Sequence, residues 1–358
     1  MIIKRTAAVL AAAVMLAGCG AGADDSRDES SAVSETETAA VTETVTETQT
    51  ETETETVTQA ESPETESVPD EEVTVTPVYD TAAIVEAYRS GDSSGLEGID
   101  AEIYSKASEV LSEIIEDGMD NYEKELAVHD WMIRNVTYDA GALRAIPKPS
   151  EHSEDPYGAI VNGSAICMGY TTAFHMFMGM LDIPCKIIHS TDYEGEEHAW
   201  NAVEIDGSWY YADVTWDDPV PDKEGRPVEH RFFNVSKKYM EAEHVLTEDS
   251  PETDNAANSY LYRSAVEISG IEELNGLARE AVGKGNSEVC AIFADGSFDE
   301  SKMISSGEHF RTTFDKDVIS AFTDVDGRRF SVYNIDRLDS DKGVIYCFTL
   351  MELKGLSG

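Results

Sequence analysis

A tight-turn signal near the middle of the chain restricts the possible folds more than any other feature. Ile205-Asp206-Gly207-Ser208 separates two runs rich in aromatic and β-branched residues, and Asp-Gly is a preferred pair for the two-residue turn of a β-hairpin. Such a turn pairs Ile205 with Ser208. The sequence therefore predicts antiparallel strands over residues 198–205 and 208–215, with a further strand over 185–190 before them.

The register of this hairpin assigns its side chains to two faces. Counting back from the turn places Trp200 opposite Asp213 and His198 opposite Thr215, with all four on one face because strand side chains alternate. His198 and Asp213 become diagonal neighbours, within reach of a side-chain hydrogen bond. The other face is predicted to be a core face and carries Val203, Ile205, Tyr210, Ala212 and Val214.

Cys167 lies in a run of small residues, Gly163 to Gly169, directly before a predicted helix over 170–181. A thiol at a helix N-terminus meets unpaired N–H groups that favour the thiolate, and the small residues are expected to leave room for a substrate. We expect the hairpin to present His198 and Asp213 toward this helix. A nucleophile, a base and an orienting carboxylate in this order are what cysteine acyl-transfer chemistry requires. The alternative for any cysteine is a buried, inert side chain, which we expect for Cys185.

Three separated motifs follow one another along residues 167–216. They are Cys167-Met168-Gly169-Tyr170, His198-Ala199-Trp200-Asn201, and Trp209-Tyr210 followed by Asp213-Val214-Thr215-Trp216. In this order they resemble the transglutaminase-like superfamily, and more narrowly its bacterial extracytoplasmic members. Val128-His129-Asp130-Trp131 and Asn135-Val136-Thr137-Tyr138-Asp139 extend the resemblance over about residues 122–219. One departure is Ile166 before the cysteine, where the family often has valine.

The resemblance implies an α+β, papain-like fold in which a helix carrying the cysteine packs on an antiparallel sheet carrying the histidine and the aspartate. It implies that Cys167 is the nucleophile, His198 the base and Asp213 the orienting carboxylate. The expected enzyme acts on peptide or carboxamide bonds of proteins or peptides through a thioester, which water or an amine resolves. The backbone N–H of Cys167 is a candidate oxyanion donor, and Trp131 and Tyr138 are candidates for the second.

A different function is open to the same fold, namely a catalytically silent surface module that binds wall peptides or proteins. The presence of Cys167, His198 and Asp213 together favours the enzyme. Trp200, Trp209 and Trp216 are expected to line the site and the core. The other histidines lack metal-ligand spacing, so no metal and no cofactor is predicted; they are His129, His152, His175, His189, His230, His244 and His309.

The first residues have the pattern of an export signal. Lys4 and Arg5 precede an apolar run over 7–16, which is too short to span a bilayer. Leu16-Ala17-Gly18-Cys19 then resembles the lipobox of bacterial lipoproteins, with an ordinary signal peptide as the alternative. The resemblance implies lipidation of Cys19 and an extracytoplasmic protein anchored to the membrane.

Residues 20–80 are dominated by threonine and glutamate and have no aromatic residue before Tyr79. Such a segment buries too little apolar surface to offset its ordering entropy, so a disordered tether is predicted. The chain has 71 acidic and 26 basic residues and a net charge of −45, and the part after the tether is also acidic. This charge argues against nucleic acid as a partner.

The predicted organisation has five parts. They are a signal peptide with lipobox (1–19), the tether (20–80), a transglutaminase-like catalytic domain (81–250), a linker (251–258) and a C-terminal α+β domain of unknown role (259–358). Amphipathic patterns predict helices over 100–117, 121–136 and 271–282. Cys290 and Cys347 lie in strand-like apolar runs and are expected to be small buried side chains, with a disulfide between them as the alternative.

Overall fold

The computed structural model describes residues 78–141, 151–218, 227–293, 304–305, 312–313, 321–322 and 324–353. The predicted signal peptide with Cys19, and the predicted tether up to residue 77, lie outside the described residues. No helix in the described part is both long enough and apolar enough to cross a membrane. Residues 72–358 group into one compact unit, and the predicted linker at 251–258 stays a prediction.

The helices and strands form a mixed α+β architecture. In chain order the helices are α1 (Ala82–Ser90), α2 (Gly98–Ile114), α3 (Asn121–Asn135), α4 (Cys167–Met180), α5 (Lys237–Met240), α6 (Tyr260–Ser264) and α7 (Leu274–Gly283). The helices predicted over 100–117 and 121–136 correspond to α2 and α3. The helix predicted over 170–181 begins three residues earlier, at Cys167, and ends one residue earlier. A single turn of 3₁₀-helix, Ile271–Glu273, precedes α7.

Helix α3 begins where its sequence provides a reciprocal cap. The Asp120 side chain accepts from the backbone N–H of Glu123 at 2.8 Å, and the Glu123 side chain accepts from the backbone N–H of Asp120 at 2.9 Å. Both bonds satisfy N–H groups that have no partner inside the helix. The cap fixes the start of the helix that carries His129 and Asp130.

The first sheet is antiparallel and has the strand order β5-β4-β3-β6. Its strands are β3 (Cys185–Asp192), β4 (Glu197–Ile205), β5 (Ser208–Ala212) and β6 (His244–Val245). The predicted hairpin is confirmed, because Ile205 pairs with Ser208 and the register continues to Asn201 opposite Ala212. Asp206 and Gly207 both have positive φ, as this turn type requires. Strand β5 ends at Ala212, earlier than the predicted residue 215.

Both faces of the first sheet are covered. Val203, Ile205, Tyr210, Ala212 and Val214 pack in one core with α4, as predicted. Trp200 lies in a separate cluster with Tyr211, Phe232 and Met240. Thus α4 packs on the core face, and the face that carries His198 and Trp200 is covered by the segment after residue 227. His198 is therefore not on the face on which α4 packs, and it approaches the helix at the Cys167 end instead.

The second sheet has the order β11-β12-β8-β7 and is antiparallel except for the parallel β7–β8 pair. Its strands are β7 (Val266–Ile268), β8 (Glu288–Phe293), β11 (Phe330–Ser340) and β12 (Gly343–Glu352). Cys290 and Cys347 lie directly opposite each other and form a disulfide. The expectation of two free buried cysteines is therefore wrong, because strand register brings their side chains together.

Two short strand pairs complete the described structure. They are β1 (Thr137–Tyr138) with β2 (Ser164–Ala165), and β9 (Ile304–Ser305) with β10 (Thr312–Thr313). The first pair is parallel and joins Tyr138 to Ala165, two residues before Cys167. It ties the end of α3 to the start of α4, which carries the cysteine.

Candidate active site

Cys167 is the first residue of α4 and is partly exposed. Ile166 before it is extended, and its N–H donates to the carbonyl of Ser153 at 2.8 Å. No acidic residue occupies the first turn of the helix. The sulfur therefore lies at the positive end of the helix dipole, where a negative charge is favoured.

The small residue two positions after the cysteine has a different role from the predicted one. A Cβ added at Gly169 would lie 2.5 Å from the carbonyl oxygen of Ser153 and 2.7 Å from Cβ of Ala165. The space above Gly169 is thus filled by the chain itself. The prediction that this glycine makes room for a substrate is wrong, and its absent side chain instead lets the segment around Ser153 pack against α4.

His198 lies at the start of β4, where it can meet the start of α4. The Thr171 hydroxyl, one turn after Cys167, donates to the carbonyl of Ala199 at 2.9 Å. This contact aligns the first turn of the helix with the first residues of the strand. The imidazole of His198 accordingly lies near Cys167, which is one of the groups that raise its pKa. Helix and histidine meet at the end of the strand, although α4 packs on the opposite face of the sheet.

Asp213 holds this imidazole from the other side. The Nε2 of His198 lies 2.6 Å from Oδ2 of Asp213, which is fully buried. A carboxylate only accepts hydrogen bonds, so Nε2 carries the hydrogen and Nδ1 remains for Cys167. The other carboxylate oxygen accepts from the backbone N–H groups of Thr215 and Trp216, at 3.1 Å each. The predicted contact between His198 and Asp213 is confirmed.

The same carboxylate binds a second histidine that the sequence did not indicate. The Nε2 of His244 lies 2.9 Å from Oδ2 of Asp213, and its side chain is fully buried. Its ring lies 4.4 Å from that of Trp216 and 4.8 Å from that of Trp200. His244 belongs to β6, which reaches the site only through its pairing with β3. No local motif surrounds this residue, so sequence spacing carried no signal for it.

The electrostatics of the site favour an ion pair. Burial lowers the pKa of His198, but the charge and hydrogen bond of Asp213, together with the contact to Cys167, outweigh it and raise the pKa to about 10. Burial also opposes ionisation of Asp213, yet His198 and His244 hold the pKa of that carboxyl well below its usual range. Both shifts favour a protonated His198 imidazole hydrogen bonded to an ionised Asp213.

The surroundings of the imidazole are aromatic. The His198 ring lies 5.7 Å from the ring of Trp200 and 5.3 Å from that of Trp216. Trp209 packs against the hydrophobic cluster that contains Trp200, and the ammonium of Lys186 lies 4.8 Å from the centre of its ring. Trp200 and Trp216 thus line the site as predicted, and they keep water from the bond between His198 and Asp213.

The two candidates for the second oxyanion donor, Tyr138 and Trp131, have different surroundings in the structure. Burial raises the pKa of Tyr138 to about 12, with contributions from the nearby Cys167 and Asp213. The Tyr138 side chain therefore lies near Cys167, while it also packs against the core. Trp131 instead packs against Phe177 of α4, with ring centroids 6.0 Å apart, as part of the core.

Cys185 provides a contrast to Cys167. Its sulfur accepts from the side-chain amide of Asn201 at 3.6 Å, and burial raises the pKa of its thiol well above the usual value. It is therefore a neutral thiol, in agreement with its predicted structural role. Cys167 and Cys185 are the two free cysteines among the described residues, and their different surroundings distinguish them.

Among the described residues, two groups of side chains place three potential metal ligands within 4.8 Å of one another. One consists of His198, Asp213 and His244, in which the carboxylate already accepts from both imidazoles. The other consists of His129, Asp130 and His230. The sequence indicated neither group as a possible metal site, because His230 and His244 lie far along the chain from the other members of their groups.

Comparison with known proteins agrees with this geometry. Residues 108–214 match the family model described as the transglutaminase-like superfamily, so this segment is a transglutaminase-like core. The chain is also similar to kyphoscoliosis peptidase, with 22% identity over 125 residues of the mouse protein and 23% over 123 residues of the human protein. These alignments cover 32% and 31% of this chain but only 18% of either peptidase.

Two solved structures are similar over part of the chain. A transglutaminase crystal structure is 18% identical with a TM-score of 0.31, covering 48% of this chain and 46% of that one. A protein described as a cysteine protease from Cytophaga hutchinsonii is 20% identical with a TM-score of 0.26, covering 32% and 37%. The similarity to the superfamily is carried by residues 108–214, which include Cys167, His198 and Asp213.

Proposed function

We propose that this protein is a cysteine acyl-transfer enzyme that acts on peptide or carboxamide bonds of proteins or peptides. One observation carries the proposal: the imidazole of His198, which lies near Cys167 at the start of α4, is hydrogen bonded to the buried Asp213. Kyphoscoliosis peptidase, to which the core is similar, is named for peptide cleavage, which agrees with this choice of substrate.

In the chemistry that we propose, Cys167 is the nucleophile and His198 is the proton donor. The Cys167 thiolate attacks the carbonyl carbon, forming a C–S bond, while the oxygen takes the negative charge. The His198 imidazolium then gives its Nδ1 proton to the leaving nitrogen as the C–N bond breaks, which leaves a thioester. The backbone N–H of Cys167 and the hydroxyl of Tyr138 are the donors that we assign to the oxyanion.

Resolution of the thioester distinguishes a hydrolase from a transglutaminase. His198, now neutral, takes a proton from water or from an amine, which attacks the thioester and releases Cys167. Both reactions use the same three residues. We favour hydrolysis, because water is abundant and the sequence shows no acyl-acceptor site.

The proposal includes a location. The lipobox-like residues that end at Cys19 support a lipid anchor on the outer face of a membrane. The Thr/Glu-rich segment that follows would hold the enzyme away from the lipid surface. A mass measurement of the N-terminal peptide after membrane extraction tests this, because a diacylated Cys19 has a distinct mass and an unmodified N-terminus contradicts the anchor.

The activity is tested with the full chain and casein as a protein that contains accessible glutamine and peptide bonds. New peptide N-termini and released ammonia report hydrolysis, and a fluorescent primary amine reports transfer. We expect Cys167→Ala to abolish every product without loss of secondary structure. Cys185→Ala is the matched control and should keep the activity, because its thiol is neutral and structural. Full turnover by Cys167→Ala would refute the mechanism, and binding of casein without any product would favour the silent binding module.

A further inference from the structure

A second cluster of histidines and carboxylates shares no residue with the site at Cys167. His129 and Asp130 lie on α3, and His230 lies in the segment that follows residue 227. The Nε2 of His230 is 2.7 Å from Oδ1 of Asp130, and Nδ1 of His129 is 3.5 Å from the same oxygen. One carboxylate oxygen thus faces a nitrogen from each of two buried imidazoles.

The outer nitrogen of each imidazole is also held by a carboxylate. The Nε2 of His129 lies 3.0 Å from Oδ2 of Asp217, and Nδ1 of His230 contacts Oε2 of Glu288. Asp217 and Glu288 are both buried. A carboxylate on the outer nitrogen is the usual support of a metal-binding histidine, because it fixes the tautomer and turns the inner nitrogen toward the metal.

We propose that His129, Asp130 and His230 bind a divalent transition metal of the zinc class. The three ligand atoms lie within 4.8 Å of one another, so small side-chain rotations bring them to the ~2.0–2.2 Å that zinc requires. Two imidazoles and one carboxylate are ligands typical of zinc, whereas calcium and magnesium select oxygen ligands. The proposal is independent of the reaction at Cys167.

The charges of the neighbouring groups and the size of the adjacent cavity are both compatible with a divalent cation. The groups in direct contact comprise the carboxylates of Asp130, Asp217 and Glu288 and one guanidinium, Arg134, which donates to Asp130 at 2.8 Å. A bound metal would take the place of the protons on the inner nitrogens of the two imidazoles, and these four groups would then supply three negative charges and one positive charge around it. A cavity of about 250 Å³ borders Asp130, His230 and Glu288 and gives an entry path and room for a water ligand.

The cluster lies where a bound metal would connect three parts of the fold. Glu288 belongs to β8 of the second sheet, and Asp217 follows the turn that holds Asp213. Asp217 also accepts from the backbone N–H of Phe232 at 2.8 Å, and the carbonyl of Phe232 accepts from the N–H of Asp213. A metal here would join α3, the second sheet and the turn beneath the orienting carboxylate, and would stabilise all three together.

The test uses the full chain, stripped with a chelator, reloaded with zinc alone, dialysed and measured for metal content and thermal unfolding. We expect one zinc per chain and a higher Tm than that of the stripped protein. His230→Gln should lose both the bound zinc and the zinc-dependent rise in Tm. His189→Gln, the same change at an exposed position of β3, should keep both.

His244→Phe separates the two histidine clusters and should keep the zinc. Zinc lost from His244→Phe but kept by His230→Gln would place the metal on Asp213 and overturn the proposal. A wild-type chain that retains no zinc and shows no rise in Tm would also overturn it. If His230→Gln fails to fold, cobalt binding by the wild type and by His244→Phe decides. Cobalt kept by His244→Phe without a thiolate-to-cobalt band supports the proposal, whereas loss of cobalt from His244→Phe, or such a band, overturns it.

Discussion

At the scale of single residues, Asp213 is a buried carboxylate that depends on four hydrogen-bond donors. Its side chain is fully buried and accepts from two backbone N–H groups and two imidazoles, so each oxygen has two donors. A buried carboxylate with fewer partners would be protonated or displaced. His198 is therefore oriented by a group that is itself fixed from several directions.

We predict that His244→Phe slows the reaction without unfolding the protein. Phenylalanine fills the aromatic cluster but removes the donor to Oδ2 of Asp213, and a hydrogen bond to a charged group contributes about 1.5–3 kcal/mol. The rate of Cys167 alkylation and kcat should fall by about tenfold or more, with KM little changed. His189→Phe, at an exposed position, is the control. An unchanged rate and pH profile would show that His244 only fills space.

Glu125 on α3 is a buried acid apart from the candidate active site. One oxygen accepts from the amide of Asn234 at 2.7 Å and the other has no partner among the described residues. Burial raises its pKa to about 8, so the group binds its proton more tightly when folded. The protonation of Glu125 therefore adds to the free energy of unfolding. This contribution is complete below the ordinary pKa of about 4.5 and is lost as the pH rises through about 8.

We predict that Glu125→Gln weakens the pH dependence of stability between about pH 5 and 8. The slope that one such group adds approaches 1.4 kcal/mol per pH unit, and glutamine has no proton to lose. Urea unfolding at a series of pH values measures the free energy of unfolding for the wild type and the variant. Glu113→Gln, at an exposed position of α2, should keep the wild-type slope. Parallel curves for Glu125→Gln and the wild type would mean that Glu125 is charged in the folded state.

At the scale of elements, the hairpin of β4 and β5 depends on its turn. Asp206 and Gly207 both have positive φ, and the turn sets the register that places Trp200 and Ala202 on one face and Val203 on the other. A slip of one residue would exchange the two buried faces. The turn thus determines which strand residues reach the site.

We predict opposite effects for one substitution at two glycines. Gly207 has a φ of 76°, and nothing lies within 4 Å of an added Cβ, so Gly207→Ala should destabilise the protein by about 1–2 kcal/mol through backbone strain alone. Gly276 in α7 also has open space but no positive φ, so Gly276→Ala should stabilise it by about 0.4–1 kcal/mol. Urea unfolding of both variants measures the difference. Equal effects would show that the turn tolerates a side chain and does not fix the register.

At the scale of the whole molecule, the second sheet contributes to the same core as α4. Cys290, Ile292 and Ile345 lie in one hydrophobic cluster with Phe174 and Phe233. The disulfide between Cys290 and Cys347 therefore lies within the shared core rather than at an edge. An exported protein, as the lipobox-like sequence predicts, would keep this bond oxidised.

We predict that replacing Cys290 and Cys347 together by alanine lowers the free energy of unfolding by about 2–4 kcal/mol, because the disulfide restricts the unfolded chain. Denaturant unfolding of the wild type and the double variant measures this loss. Alkylation in denaturant, before and after reduction, should reveal two additional thiols in the wild-type chain. No gain of thiols on reduction would show that the bond does not form.

The sequence by itself determined the features that depend on neighbouring residues. The Asp206-Gly207 turn set the strand register, and that register predicted the contact between His198 and Asp213. The run before α4 placed Cys167 at a helix start, and the ordered motifs indicated the transglutaminase-like core. Backbone dihedrals and alternation along a strand are local, so they can be inferred without the fold.

Only the tertiary structure decided which distant residues meet. His244 reaches Asp213 across the first sheet, and the Cys290–Cys347 bond depends on the pairing of β8 with β12. His230 contacts Asp130 although 100 positions separate them. These contacts arise from the packing of sheets and helices around a common core, which no periodicity along the chain encodes. The packing of residues after 227 on the Trp200 face of the first sheet was also decided by the tertiary structure. A strand pattern shows that a face is apolar, but it does not show which residues pack on that face.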